Sequence, residues 1–315
     1  MNTTPPQTRT AATPSGVRGH LAHFWATLKR TATEFTAGDP FTEAGSLAYT
    51  TIFALPGVII LTLMAASTLY DEATVRAALF AEARTFIGTS TAADLEAMVQ
   101  SASRPKTGLF ARILGIIALA VSATALFAAL QKSLNRVWGV KPEPGKAILR
   151  YLLTRLISLG LISAFGFLLL VSLVLDAGMV AIGERLGNWL PASSWIIGVL
   201  GLALSFAVVT TVFAVVFKFL PDLRISWRSV WMGSLFTAAL FTVGKYLIGL
   251  YIAKTGAGDA YGAGGAVIVI MLWVYYSSIL TLFGAQFTAV TAKEHGERIA
   301  PLPHAERDPS QPQPN

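Results

Sequence analysis

Two long apolar stretches near the C-terminal end of the chain constrain its fold more than any other feature. Residues 230–253 contain a single charged side chain, Lys245, and residues 266–292 contain none. Crossing the hydrocarbon core of a bilayer takes about 20 helical residues, and each stretch exceeds that length. Only a helix or a closed barrel can satisfy its backbone hydrogen bonds inside a membrane, and a long uninterrupted apolar run indicates a helix. The pair therefore predicts a transmembrane hairpin joined by the glycine-rich connector 255–265.

Four further apolar runs give the whole chain the pattern of an all-α, polytopic membrane protein. Hydrophobic residues make up 54% of the chain and charged residues 13%, against about 25% charged in an ordinary soluble domain. We predict one membrane domain, residues 18–292, with six transmembrane helices. The predicted spans cover approximately residues 44–70, 113–131, 151–180, 195–217, 229–253 and 264–292.

The segments around the spans are more polar. Residues 1–17 and 293–315 are rich in polar residues and proline, which predicts disordered tails. Large apolar residues at near-helical spacing in residues 18–36 predict an amphipathic helix at the membrane interface; a helix packed on the end of the bundle is the alternative. Residues 71–108 read as a polar loop with two helical stretches.

The distribution of basic residues predicts the orientation. Leaving out Arg155 and Lys245 inside spans, fifteen Lys and Arg lie on the side of the termini and seven on the opposite side. The positive-inside rule then places both termini in the cytoplasm. This bias also accounts for most of the net charge of +7, so the charge does not require nucleic acid as a partner.

Residues that carry catalytic or metal chemistry are scarce. The chain has no cysteine, and its four histidines all lie near the termini. The apolar domain contains no metal-binding or paired-carboxylate pattern, and the glycine-rich connector lacks the Gly-Lys-Ser/Thr of a phosphate loop. We therefore predict no enzymatic activity, catalytic residue, metal or cofactor. Basic residues beside spans normally meet lipid headgroups, so the predicted partners are membrane lipids, with RNA as the disfavoured alternative and a homo-oligomer left open.

Eight short motifs occur along the chain in a fixed order. They cover residues 43–50, 134–140, 220–222, 227–233, 244–251, 261–264, 272–276 and 284–287. In this combination the chain closely resembles the YihY/BrkB family of bacterial inner-membrane proteins, once mislabelled ribonuclease BN. The resemblance spans about residues 20–292. It implies a six-span fold and names no substrate.

Polar residues at membrane depth are the functional candidates, since burying them in a bilayer is costly and usually needs a partner. We predict that they line a substrate pathway open to the cytoplasm, with Arg136 a candidate partner of Glu43. Hydrogen bonds that hold the helices together are the alternative. The predicted pathway residues are Glu43, Tyr49, Gln131, Asn135, Arg136, Tyr275, Tyr276 and Gln286.

Two further sets of residues are singled out by their positions in the spans. Lys245 and Asp176 both lie toward the outer end of their spans and are candidates for an ion pair, although Lys245 alone can also extend its ammonium group to the interface. Pro56 removes a backbone hydrogen bond inside the first span and predicts a kink. Three glycines near the last hairpin are further candidate hinges: Gly262, Gly264 and Gly265.

These features favour transport or translocation of a lipid-like or amphipathic substrate. A small-solute or ion pathway and a non-transporting membrane scaffold are the alternatives. A lipid substrate predicts a groove that opens sideways between spans, whereas an ion pathway predicts a continuous polar line from Glu43 to Lys245. A scaffold would tolerate the loss of most polar groups at membrane depth.

Overall fold

The computed structural model describes residues 17–68, 71–103, 109–142, 156–158, 160–164, 167–168, 171, 193–255, 265–297 and 299–309. The longer helices are α1 (Val17–Ala37), α2 (Pro40–Ala66), α3 (Glu72–Ile87), α4 (Thr89–Ser103), α5 (Leu109–Val137), α6 (Ser193–Phe219), α7 (Trp227–Thr255) and α8 (Gly265–Glu294). Four short strands accompany them: β1 (Val140–Pro142), β2 (Leu223–Arg224), β3 (Ala300–Pro301) and β4 (Ala305–Arg307). The protein is thus predominantly helical, as predicted.

Among the described residues, five helices are long and apolar enough to cross a membrane. They are Pro40–Ala66, Ile117–Val137, Gly198–Phe219, Trp227–Tyr251 and Gly265–Glu294. These match five of the six predicted spans. Most of the remaining span, residues 151–180, lies outside the described residues, although its described parts within 156–171 are helical. The count of six and the cytoplasmic location of the termini therefore stay predictions.

Close packing of α7 against α8 depends on glycines that receive side chains of the other helix. Gly233 faces Thr288 and Gly284 faces Thr237, and in each case an added Cβ would lie 2.8 Å from the threonine Cβ. Gly244 faces the phenol of Tyr276 in the same way. Small residues let two helix backbones approach closely in a membrane, where van der Waals packing drives association. The predicted hairpin of the last two spans is thus a tightly packed helix pair.

The pair α2 and α5 makes a second close approach at membrane depth. A Cβ added to Gly57 would lie 2.8 Å from the carbonyl oxygen of Leu119. Beside it, the Ser122 hydroxyl donates a hydrogen bond of 2.7 Å to the carbonyl oxygen of Phe53. Phe53 directly follows Ile52, and the carbonyl of Ile52 lacks its helical hydrogen bond because Pro56 has no N–H to donate.

The helical pair α3–α4, which corresponds to the predicted loop of residues 71–108, packs on the membrane helices. The Asp71 carboxylate caps α3 by accepting a hydrogen bond from the backbone N–H of Thr74. The apolar side chains of both helices then bury themselves in one cluster with α2 and α8. The fully buried members of this cluster from α3 and α4 are Val75, Phe80 and Val99.

The first helix, α1, packs on the last. Phe24 of α1 lies edge-on to Phe287 of α8, with ring centroids 6.3 Å apart. The Thr27 hydroxyl donates to the carboxylate of Glu294 at 2.8 Å. Trp25, by contrast, is 65% exposed. One face of α1 is therefore held by the bundle, and the other face is free for the membrane interface.

The prediction of a disordered C-terminal tail is wrong for its described part. Strand β4 pairs antiparallel with β1, and β3 pairs antiparallel with β2. The tail is ordered because β1 and β2, which lie in two connectors, offer it backbone hydrogen-bond partners, and because it carries apolar residues that pack on the bundle. Ile299 packs against the main core, and the N–H of Leu302 donates to the carbonyl of Asp222 at 3.0 Å.

Candidate functional site

Asp222, in the turn between α6 and α7, is the centre of a buried polar cluster. It is 2% exposed. Its Oδ1 accepts a hydrogen bond of 2.8 Å from Gln131 Nε2, and its Oδ2 accepts one of 2.7 Å from Asn135 Nδ2. His304 Nε2 lies 3.1 Å from Oδ1. These four residues, the Asp222 cluster, join the α6–α7 turn to the end of α5 and to the C-terminal segment.

The local sequence explains how the cluster forms. Gln131 and Asn135 are four residues apart, so they project from the same face of α5. The N–H of Asp222 returns a hydrogen bond to Asn135 Oδ1 at 2.8 Å, so the amide of Asn135 is used on both sides. Pro221 directs the turn, and the N–H of Leu223 donates back to the Pro221 carbonyl at 2.8 Å. A buried carboxylate with several donors is a strong structural link, because each charge-assisted bond contributes about 1.5–3 kcal/mol.

Glu43 and Arg136 form an ion pair at the same end of the bundle. The hydroxyl of Ser133 adds a hydrogen bond of 2.8 Å to Glu43 Oε2. Glu43 lies in the first turn of α2 and Arg136 in the last turn of α5, so each charge also suits the dipole of its own helix. The Arg136 side chain is 49% exposed and that of Glu43 only 17%.

Gln286 is held by a third carboxylate, that of Glu34 in α1. Its Nε2 donates to Glu34 Oε2 at 2.9 Å. Lys293 lies 3.5 Å from the same oxygen, and Arg30 lies 2.9 Å from the other. This Glu34 cluster links α1 to α8. We refer to it, the Asp222 cluster and the Glu43–Arg136 pair together as the polar end of the bundle.

Of the three predicted pathway tyrosines, Tyr49 lies on α2, whereas Tyr275 and Tyr276 are adjacent residues of α8. Tyr49 is 62% exposed on the outside of α2, where its ring meets that of Phe53 at 5.1 Å. The Tyr276 phenol packs against Gly244, where a side chain would clash with it, and Tyr275 is half-buried. The structure thus gathers Gln131 and Asn135 around Asp222, and pairs Glu43 with Arg136. It does not bring the eight predicted residues into one pathway.

A cavity of about 410 Å³ lies farther inside the bundle. It begins one turn of α2 beyond Glu43, at Leu47, and one residue of α5 before Gln131, at Leu130. Its described lining is apolar apart from four hydroxyl groups and the indole N–H of Trp273, and none of the eight predicted pathway residues belongs to it. The lining residues are Leu47, Thr51, Leu55, Ala83, Ile87, Leu95, Leu126, Leu130, Phe241, Ile270, Trp273, Val274, Ser277, Ser278 and Thr281.

The α3–α4 pair covers one side of this apolar cavity. Ala83 and Ile87 of α3 and Leu95 of α4 contribute to the lining, opposite side chains from the membrane helices. Leu95 belongs to the same buried cluster as Ile270 of α8. The two helical stretches predicted within residues 71–108 are confirmed, and they also shape the interior of the membrane domain.

The remaining predicted residues are placed only in part. Lys245 Nζ lies 5.4 Å from the ring centroid of Tyr246. Its proposed partner Asp176 lies outside the described residues, as do Gly262 and Gly264. Pro56 lies inside α2, and Gly265 is the buried first residue of α8.

Sequence reasoning missed Asp222 and the apolar cavity. Asp222 stood in a recognised motif, but an aspartate after proline is an ordinary turn residue. The only advance signal of the cavity was the run of hydroxyl residues Ser277, Ser278 and Thr281 inside an uncharged span. Such residues are also common where helices pack together.

Comparison with known proteins agrees with the sequence motifs. The family model described as virulence factor BrkB matches residues 31–309. A UPF0761 membrane protein of Pseudomonas paraeruginosa is 32% identical over 177 residues, which are 54% of this chain and 40% of that protein. The ribonuclease-like protein YfkH of Bacillus subtilis is 28% identical over 183 residues, 57% of this chain and 65% of that protein.

The aligned region thus spans less than half of the Pseudomonas relative. No solved structure matches the chain. The family match nevertheless covers nearly the whole sequence, and it coincides with the helices that are apolar enough to cross a membrane. The chain therefore belongs to the BrkB family and is a multi-pass bacterial membrane protein.

Proposed function

We propose that the protein binds a lipid-like or amphipathic substrate in the apolar cavity and moves it within or across the membrane. The observation that carries this proposal is the cavity itself, about 410 Å³ of space between membrane helices with an almost wholly apolar lining. Ligand sites in proteins commonly measure about 300–1,000 Å³ and are lined mainly by apolar side chains with a few polar groups.

The energetics suit transfer of a hydrocarbon chain. A lipid chain in the bilayer is already surrounded by apolar groups, so entering a cavity lined by leucine, isoleucine and tryptophan involves no hydrophobic gain or loss. Binding is then weak and reversible, which is what passage requires. Leaving an apolar cavity empty also forfeits dispersion contacts for the atoms that line it, so an occupant stabilises the bundle.

The same lining argues against the other transported classes. An ion at this depth needs charged or polar ligands, because its desolvation costs many kcal/mol. The described lining supplies only the hydroxyls of threonine and serine and the indole N–H of Trp273. It supplies neither a base to activate a serine nor a pair of carboxylates. We accordingly propose that the protein is not an enzyme and that its partners are membrane lipids rather than nucleic acid.

A non-transporting scaffold is the second candidate. It is favoured by the polar end, where five of the predicted pathway side chains form hydrogen bonds or ion pairs with other elements of the bundle. A scaffold needs these bonds and makes no use of the cavity. The two candidates therefore differ in what filling the cavity would do.

The test compares two valine-to-tryptophan variants. Val274 lines the cavity, whereas Val243 is 59% exposed on the outside of α7. In phosphatidylcholine vesicles carrying a fluorescent single-chain lipid, the wild-type protein should accelerate loss of fluorescence to an external quencher. Val274→Trp should return the rate to that of vesicles without protein, and Val243→Trp should not. A wild-type protein without effect, or a Val274→Trp protein as fast as wild type, would favour the scaffold.

A further inference from the structure

We propose that the apolar cavity recognises a neutral, single-chain lipid through the hydroxyls of Ser277 and Ser278, which hydrogen bond an alcohol or ester group near the end of the chain. This inference rests on the proposed function and adds the chemical class of the substrate. It starts from an imbalance among the four hydroxyls of the lining.

Two of those hydroxyls are already used. Thr51 Oγ1 donates to the carbonyl of Leu47 at 2.6 Å, and Thr281 Oγ1 donates to the carbonyl of Ser277 at 2.7 Å. The hydroxyls of Ser277 and Ser278 make no hydrogen bond to any residue that the structure describes. Ser278 is 8% exposed, and Ser277 is half-buried. Both serines line the cavity.

A hydroxyl that faces an apolar cavity has few hydrogen bonds to water, and leaving it without another partner is unfavourable. A ligand that brings a carbonyl or hydroxyl oxygen to the two serines removes this penalty, which a plain hydrocarbon does not. Discrimination of this kind is strong, because a site built to hydrogen bond a polar group is left unpaired by a ligand that lacks it.

The ligand must also be uncharged. Along α8, Ser278 lies about 20 Å from Gly265 and about 24 Å from Glu294, deep in a helix that spans the membrane. No Lys, Arg or His is among the cavity-lining residues of the described chain. A phosphate or carboxylate brought to this depth would remain without a counter-charge, and burying such an ion is costly.

The volume favours a ligand with one chain. A cavity of about 410 Å³ lies near the lower end of the range of about 300–1,000 Å³ that is common for ligand sites. This is the size expected for a single acyl chain or a linear alcohol. The charged groups of the polar end lie outside the lining, so they do not extend the site toward a headgroup.

The experiment uses the full chain in phosphatidylcholine nanodiscs and three photoreactive probes of equal length. The probes are hexadecanol, hexadecane and hexadecanesulfonate, each with a diazirine at the same carbon. Labelling of peptides from α8 is measured by mass spectrometry. The alcohol should label the cavity-lining peptides about tenfold more than either of the other probes, as expected for one additional net hydrogen bond.

The double variant Ser277→Ala/Ser278→Ala should lower alcohol labelling to the level of the alkane and leave alkane labelling unchanged. Ser234→Ala is the matched control, because Ser234 is a buried serine of α7 that does not line the cavity. It should leave all labelling unchanged. Unfolding curves of both variants verify that they are folded.

The outcomes separate this inference from the function on which it rests. Equal labelling by alcohol and alkane, strongest labelling by the sulfonate, or a double variant that labels like wild type would overturn the neutral-lipid inference and leave a lipid-binding cavity. Failure of every probe to label the lining would overturn both.

Discussion

The polar end and the apolar cavity adjoin, and they differ in whether their polar groups already have partners. At the polar end, Asp222 alone accepts from Gln131 and Asn135 and meets His304, all within about 3 Å. One turn of α2 further in, the cavity begins at Leu47, and two serine hydroxyls in its lining have no described partner.

This difference teaches how to separate structural from functional polar residues in a membrane protein. A polar side chain whose hydrogen bonds all go to other helices stabilises the bundle and has no capacity left for a ligand. A polar side chain beside an unfilled volume retains that capacity. Substitutions at the polar end should therefore change stability, and substitutions in the cavity should change binding.

The largest expected effect comes from Asp222→Ala. The change leaves the buried amides of Gln131 and Asn135 without their acceptor, and at about 1–3 kcal/mol for each unsatisfied donor the two together cost about 2–6 kcal/mol. The free energy of unfolding, measured by titration with sodium dodecyl sulfate in mixed micelles, should fall by that amount. Alcohol-probe labelling of the cavity in the folded protein should stay unchanged.

Two variants check that this effect belongs to the cluster. Asp94→Ala, at an exposed position of α4, should change stability by less than about 0.5 kcal/mol. Adding His304→Ala to Asp222→Ala should cost little more than Asp222→Ala alone, because the two residues share one network. Additive losses would mean that His304 acts independently of Asp222. Normal stability combined with lost labelling would reverse the assignment of the two regions.

A smaller loss is expected from Gly284→Ala. The added methyl would lie 2.8 Å from the Thr237 Cβ, so α7 and α8 would have to separate. Overpacking of this kind typically costs about 1–3 kcal/mol. Because Phe241 of α7 and Trp273 of α8 both line the cavity, labelling should fall as well. This variant is the one that should affect stability and binding together.

Gly249→Ala provides the matched control on α7. No atom lies within 4 Å of a Cβ added there. The same titration should show no loss of stability, since alanine favours a helix over glycine by about 1 kcal/mol. If Gly249→Ala and Gly284→Ala destabilise equally, helix separation is not the cause.

The transmembrane helices could be predicted from the sequence because the signal is local. An uncharged run longer than 20 residues has few alternatives in a bilayer, and the predicted span 264–292 differs from α8, Gly265–Glu294, by one or two residues at each end. The C-terminal strands could not be predicted, because β3 and β4 find their partners in connectors that lie far away in the sequence.

The polar residues were identified from the sequence, and Arg136 was correctly predicted as the partner of Glu43, but the partner of Gln131 and Asn135 was not predicted. Gln131 and Asn135 are unusual near the end of an apolar run, which indicates that their amides have hydrogen-bond partners elsewhere in the protein. That partner is Asp222, 87 residues beyond Asn135, and only the packing of α5 against the α6–α7 turn reveals it. The cavity is less accessible still to sequence reasoning, since its lining comes from six helices.

The smallest expected effect, and the sharpest test of the comparison, is that of Ser234→Ala. The Ser234 side chain is fully buried, and its hydroxyl has no hydrogen-bond partner among the described residues. It resembles Ser278 in burial but faces packed core rather than a cavity, with Val230 and Ala238 on the same face of α7. Removing the unpaired hydroxyl should leave stability unchanged or raise it by about 1 kcal/mol.

Ser278→Ala should have the same effect on stability in the same unfolding titration, while only Ser278→Ala lowers alcohol labelling. A clear loss of stability in Ser234→Ala would show that a buried serine without a described partner still acts as a structural bond. The unpaired hydroxyls would then no longer distinguish the cavity from the polar end.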